Sequence, residues 1–274
     1  MSPKTLIFSG GGLLGCVYIG LLRKIEETDA WRDTNEIISI SVGSIFALLY
    51  TLGFTSHEIE DKIKQNNMDF NEYNFTNIIN KYGVNSGECI TNWISELISY
   101  KEVSPNITLL GLYNKFKIDY KIVVTDIQEQ KLDYFSKDKT PNLKVLDAIR
   151  MAISVPFLFT VKKYHQKIYI DAMIISNYPL TYILENVMSK NTDGEYQGFQ
   201  IKSVSEKKSI SNVYDYLKCI IKCKKQTHND ICYPNTTVIS CEKLDNLIYL
   251  DFELTHDIID KYISYGYNVL DEEV

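Results

Sequence analysis

An apolar run that ends in three consecutive glycines, "TLIFSGGGLLG" at residues 5–15, constrains this chain more than any other stretch. Residues 5–9 are short, apolar and stopped by glycine, which reads as a buried strand. Residues 13–27, apolar at first and charged towards their end, read as the helix that follows. A strand that turns directly into a helix through glycines bares backbone N–H groups, and two chemistries use such a loop. One cradles a dinucleotide pyrophosphate, and Gly10, Gly12 and Gly15 satisfy G-x-G-x-x-G. The other holds the oxyanion of an acyl-transfer intermediate. The glycines alone fit both.

The pattern then repeats. Residues 36–41 ("EIISIS") read as a second short strand and residues 44–52 ("SIFALLYTL") as a buried helix closed by Gly53. Strand, helix, strand, helix implies an α/β fold with a mostly parallel central sheet covered on both faces, a three-layer α/β/α arrangement. Further strands are expected at residues 121–125, 168–171, 198–202 and 236–240, and helices at 145–152 and 256–268. Residues 55–100 read as helical apart from two loops, "NNMDFNEYNF" at 66–75 and "KYGVNSGE" at 81–88. The loop-like "SKNTDGEYQG" at 189–198 is too short to mark a domain boundary, and no repeat or low-complexity linker interrupts the chain. With 45% hydrophobic residues, residues 1–274 can bury the core of a single domain.

Charge narrows the partners. A net charge of −6 gives no overall attraction to polyanions, so nucleic acid is not an expected partner. The six cysteines lack the density of a disulfide scaffold and read as reduced thiols. Cys219, Cys223, Cys232 and Cys241, with His228 among them, form C-x3-C-x8-C-x8-C, which lacks the tight C-x2-C pair that pre-arranges thiolates; no metal is expected. Lys4 and the apolar residues after it resemble a leader, but the glycines and the following Arg23, Lys24, Glu26 and Glu27 fit a buried strand and helix better. The expectation is a cytoplasmic protein without a membrane span.

In a dinucleotide fold the second strand ends in an acid that binds the ribose. Here it ends "SISVGS", with Ser41 at its tip. A serine between a strand and a buried helix, followed two residues on by Gly43, resembles the nucleophile elbow G-x-S-x-G. Taken alone, the pattern also fits a serine that caps the helix. A nucleophile needs a base. His57, His165, His228 and His256 sit in polar contexts and read as surface residues. Asp171 ends the apolar "KIYID" and is expected to project from the carboxyl edge of the sheet, beside Ser41; the alternative is an Asp that caps a turn.

These motifs resemble the patatin-like acyl hydrolases, the fold shared with cytosolic phospholipase A2 catalytic domains. The family's G-G-G-x-x-G loop is matched by Gly10, Gly11, Gly12 and Gly15, and its elbow in part by residues 39–43. Its D-G-G/A-x-x-x-N-x-P motif is matched by Asp171, Asn177 and Pro179 in "DAMIISNYP". "KYGVNSGE", "VVTDIQEQK", "VLDAIRMAISVPFLF" and the closing "YISYGYNV" resemble further family segments. Three departures stand out: Leu14 where the family often has Arg, Ser39 in place of the first elbow glycine, and Ala172 and Met173 in place of glycines after the aspartate.

The resemblance implies a Ser41–Asp171 dyad without histidine, with Gly10, Gly11 and Gly12 as the oxyanion hole, and no metal or other cofactor. It implies a phospholipid or other acyl lipid ester as substrate, met at a membrane surface. The lysine-rich stretch at residues 202–226 would suit an anionic bilayer, and equally a helix packed on the core with a solvated charged face. Two other readings remain: a relative that binds lipid or a partner without turning it over, and a dinucleotide-dependent oxidoreductase.

Overall fold

The computed structural model describes residues 2–28, 30–66, 73–189, 195–202, 219, 233–240 and 255–271. Its strands are β1 (Thr5–Phe8), β2 (Glu36–Ile40), β3 (Gly83–Asn85), β4 (Asp119–Asp126), β5 (Lys131–Phe135), β6 (Phe157–Phe159), β7 (Lys162–Tyr164), β8 (Lys167–Asp171), β9 (Tyr196–Lys202) and β10 (Thr236–Ser240). Its helices are α1 (Val17–Thr28), α2 (Gly43–Thr51), α3 (Ser56–Gln65), α4 (Asn77–Lys81), α5 (Glu88–Tyr100), α6 (Leu109–Phe116), α7 (Val145–Ala152), α8 (Leu180–Tyr182) and α9 (His256–Asn268).

β1 and β2 are buried at every position because both faces of the sheet are covered. Leu6, Phe8, Ile37, Ile122 and Val124 enter a large cluster with α1, α2, α3, α5, α7 and α9. Ile7, Ile38, Ile40 and Val123 enter a smaller one with Tyr178, Leu180, Ile183 and Val187. Successive side chains thus serve opposite layers, and the expected three-layer α/β/α architecture is what the chain adopts.

The sheet runs β10-β9-β1-β2-β4-β8-β7, with β5 also on β4. β10, β9, β1, β2 and β4 are mutually parallel. β5 and β8 are antiparallel to β4. The register on β4 decides the site. β2 and β5 both pair with Ile122 and Val123, so they occupy opposite edges of that strand. β8 and β5 both pair with Val124, Thr125 and Asp126, so β8 lies on the same edge as β2. β2 ends at Ile40 opposite Val123, and β8 ends at Asp171 opposite Val124. Two strands therefore share one edge of β4 and run towards each other tip to tip.

Asp171 stands at the carboxyl end of β2, beside Ser41, but on a strand that runs against β2: β8 comes down from beyond that end and stops at the serine's level. The loop expected at residues 81–88 contains β3, which pairs with β6. The helix expected from residue 13 opens as a 3-10 turn over Gly12–Cys16 before α1 begins. The remaining expected strands and helices are present, each within two residues at its ends.

At the opposite end of the parallel strands a buried ionic cluster fixes this register. Glu36 accepts from Lys121 Nζ (2.5 Å), Ser189 Oγ (2.6 Å) and Thr5 Oγ1 (2.8 Å), which ties the starts of β1, β2 and β4 together. Lys121 Nζ also donates to Val187 O at 2.8 Å. Lys121→Met leaves the Glu36 carboxylate buried without its cation, and should cost about 3–5 kcal/mol, read as a lowered urea midpoint at unchanged m-value.

Candidate active site

Ser41 follows β2 directly, with φ at +51°, a region non-glycine residues seldom adopt. Such strain persists only where the surroundings over-determine it, and here they do. Ser41 O accepts from Ser44 N at 2.9 Å in the first turn of α2. A Cβ at Gly43 would come within 2.6 Å of Ser9 O and 2.8 Å of Phe8 O, so only glycine lets α2 start this close to the end of β1. No side chain caps α2; its N-cap is Val42, so the capping alternative for Ser41 does not hold.

The Ser41 hydroxyl instead donates to Asp171 Oδ2 at 2.5 Å. The two are nearly sealed, with relative exposures of 6% and 0%, which shields their contact from competing water. Asp171 Oδ1 accepts from Met173 N at 2.9 Å. One Asp171 oxygen thus caps a turn while the other meets the serine. His57, His165 and His256 are exposed, away from this pair, and His228 lies outside the described residues.

Gly10 lies against the serine. A Cβ at Gly10 would stand 3.0 Å from Ser41 Cβ and would overlap the Asn177 amide. Gly10 N donates to Asn177 O at 3.4 Å, and Asn177 Nδ2 donates to Gly10 O at 2.7 Å, so the loop after Asp171 clamps the glycine loop. The N–H groups of Gly11 and Gly12 meet no acceptor among the described residues; Gly12 reaches this arrangement with φ at +57°. Gly15 makes room for α2, since a Cβ there would sit 2.9 Å from Phe46 and Val42 atoms. Pro179 leads into α8, next to Tyr178, whose hydroxyl lies 3.1 Å from Thr236 Oγ1.

Two residues that the sequence reading passed over brace the loop. Ser9 Oγ donates to Gly10 O at 3.0 Å and accepts from Ile201 N at 2.8 Å, joining β1 to β9. Tyr18 OH donates to Ser9 O at 2.9 Å. A tyrosine inside an apolar helix was the available signal, because a buried hydroxyl needs a partner.

Each departure has a local answer. Leu14 is 1% exposed within the large core cluster, so the position holds no cation near the serine. Ser39 is fully buried, and its hydroxyl donates to Lys121 O on the neighbouring strand at 3.1 Å. Ala172 and Met173 form a right-handed 3-10 turn with no positive φ, so glycine is not needed there. Beside the loop, burial pushes the Cys16 thiol up to about 12, which leaves Ser41 without a competing nucleophile there. Of the cysteines weighed for a metal, only Cys219 is described, and no metal-holding group occurs among the described residues. Most of the lysine-rich stretch at 202–226 also lies outside them.

The candidate site is thus a serine at a strand tip hydrogen-bonded to an aspartate, beside a glycine loop, in a three-layer α/β/α fold. Comparison with known proteins gives the family. The profile of the patatin-like phospholipase family matches residues 6–184, and the chain belongs to that family. It is 28% identical over 224 residues to an uncharacterized protein of Acanthamoeba polyphaga mimivirus, covering 78% of this chain and 73% of that one. It is 27% identical over 192 residues to a probable lipid hydrolase of Invertebrate iridescent virus 6, covering 69% of this chain and 66% of that one. Among solved structures it resembles VipD from Legionella pneumophila, with a TM-score of 0.61 at 14% identity over 99% of this chain and 67% of that one. The type III effector protein ExoU of Pseudomonas aeruginosa gives a TM-score of 0.53 at 12% identity, over 99% of this chain and 52% of that one. The chain thus spans about half the length of ExoU, and these two likenesses concern the fold. Family and viral relative together support lipid hydrolase activity and remove the dinucleotide reading of the glycines.

The Asn177 clamp is open to a stability test. Asn177→Ala should cost about 1–3 kcal/mol, measured by urea denaturation, because it removes a donor to Gly10 O from a nearly closed site.

Proposed function

We propose that this protein hydrolyses carboxylic ester bonds of phospholipids, a phospholipase A-type reaction, with Ser41 as nucleophile and Asp171 as base. The observation that carries the proposal is the 2.5 Å hydrogen bond from Ser41 Oγ to Asp171 Oδ2 at a strained strand end, with Gly11 and Gly12 N–H groups that meet no acceptor among the described residues.

The Ser41 proton passes to Asp171 Oδ2 as Oγ bonds to the ester carbonyl carbon. The carbonyl oxygen becomes an oxyanion, held by the N–H groups of Gly11 and Gly12, each such donor being worth about 3 kcal/mol of barrier. Gly10, whose N–H is engaged by Asn177, serves as the wall that sets the loop against the serine. Collapse breaks the bond to the alcohol oxygen, which leaves with the proton from Asp171. Water then attacks the acyl-serine and gives its proton to Asp171. The second collapse releases the fatty acid and returns the proton to Ser41.

The positive end of the α2 dipole lies next to Ser41 and favours the negative charge that develops there. The local answers to Leu14, Ser39, Ala172 and Met173 favour turnover over the reading of a binding-only relative. Among the described residues no helix is long and apolar enough to cross a membrane, and we take the lipid to be met at a bilayer surface from the cytoplasmic side.

An alkyl fluorophosphonate should form a single adduct on Ser41, found by peptide mass spectrometry, and Ser41→Ala should abolish it together with ester turnover in mixed micelles. Asp171→Asn should reduce turnover by about 10²–10⁴-fold while circular dichroism stays native. Turnover that survives in Ser41→Ala would overturn the assignment.

A further inference from the structure

The largest side chain in the fully buried core is an arginine. Arg150, in the last turn of α7, is 2% exposed. No carboxylate hydrogen-bonds to it among the described residues; its donors go to neutral oxygens. Nη2 donates to Ser86 O (2.6 Å) and Thr160 O (2.8 Å), Nε to Ser86 O (3.3 Å), and Nη1 to Ser154 Oγ (2.8 Å). The guanidinium also lies over the Phe159 ring, 5.3 Å from its centroid. Room for it is reserved, since a Cβ at Gly87 would come within 2.7 Å of Nε. Burial pulls the guanidinium down to about 10, so it is still charged at neutral pH.

A buried cation satisfied only by neutral acceptors is expensive, and a well-packed apolar residue would fill the space at less cost. What the fork holds gives it a use. Ser154 and Thr160 bound the segment that contains β6, where Phe157 is forced to φ +66°. Ser86 comes from the partner strand's end. Ser154 Oγ in turn donates to Arg150 O at 2.8 Å, and Ser154 O accepts from Asp171 N at 3.1 Å. That carbonyl joins the short ladder to β4 in holding the backbone at the tip of β8. The height at which β8 stops against β2 therefore depends on where Ser154 stands, and Arg150 fixes Ser154.

The geometry points to Arg150 as a positioning residue for Asp171, acting through Ser154 to hold the acid at the level of Ser41. This rests on the proposed dyad and adds to it a residue that touches no reacting atom. A small misplacement of the base lowers kcat far more than it weakens ester binding. Arg150→Lys keeps the charge and loses the fork, so it should behave like Arg150→Met, not like wild type.

The test measures kcat and KM for a short-chain p-nitrophenyl ester, the rate of Ser41 phosphonylation by an alkyl fluorophosphonate, and the melting temperature. For Arg150→Lys, Arg150→Met, Ser154→Ala and the Arg150→Met/Ser154→Ala double variant, all four are compared with wild type. Arg150→Lys should lower kcat and the phosphonylation rate at least tenfold with KM within twofold, at temperatures where the protein is fully folded. Ser154→Ala should lower both less, and the double variant should match Arg150→Met within twofold, because both changes break one chain of contacts. If Arg150→Met does not fold, Arg150→Lys and Ser154→Ala carry the test. Folded variants with wild-type kcat overturn the inference, as do single effects that multiply in the double variant. Loss of kcat only in proportion to the unfolded fraction also overturns it. If Ser41→Ala retains activity, the dyad itself fails; if only the Arg150 variants retain it, the inference fails alone.

Discussion

One edge of β4 is shared by two strands that approach each other head on, and the arrangement of the site follows from that. A strand offers a single row of hydrogen-bonding groups on each edge. β2 takes the row up to Val123 and β8 takes it from Val124, so their ends abut. The last residue of one and the first beyond the other are then brought within bonding distance by the backbone ladder itself. Ser41 and Asp171, 130 residues apart in sequence, meet there through ladders whose spacing varies little.

Sealing that junction in a layered core leaves little room for error in polar groups. The neighbours answer in two ways. Several buried hydroxyls and amides are bonded: Ser9 to Gly10 O, Ser39 to Lys121 O, and Asn177 to Gly10 O. Where backbones come too close for a side chain, glycine stands, as at Gly10 against Ser41 and at Gly43 against the end of β1. Among the described residues the N–H groups of Gly11 and Gly12 meet no acceptor, and the buried Ser44 hydroxyl meets no partner. Donors left unbonded are costly for stability, and in the proposed reaction they suit a charge that exists only during turnover.

Much of this was legible in the sequence, for physical reasons that differ by element. Glycine runs, a small-residue elbow and a strand ending in Asp each answer to local geometry, so Ser41, Asp171 and the glycines stood out singly, each with a second reading, and the family resemblance joined them into one site. The direction of β8 could not. "KIYID" reads the same whether its strand runs up or down, because composition reports burial and not orientation. β3 is three residues long, too short for any period to show, and Asn85 and Ser86 between Gly83 and Gly87 looked like a turn. Ser39 looked like a defect until its partner on β4 was visible. Arg150 carried no signal, since a single arginine at a helix end reads as a favourable charge at the dipole rather than as a buried fork.

The tip-to-tip junction also bears on how the proposed dyad puts a carboxylate where a histidine-based triad has an imidazole. In a histidine-based triad the base reaches the serine on a side chain whose orientation is set by a third residue. At 2.5 Å between Ser41 Oγ and Asp171 Oδ2 there is no gap for an interposed ring. The acid's second oxygen is held by Met173 N and its backbone N–H by Ser154 O, so orientation comes from main-chain contacts on both sides of one residue. As the proposed base, Asp171 needs no third side chain, but it inherits every displacement of the strand that carries it. The requirement for accuracy moves from a side-chain partner to the segments that set where β8 ends, which are β4 on one side and the Ser154 turn on the other.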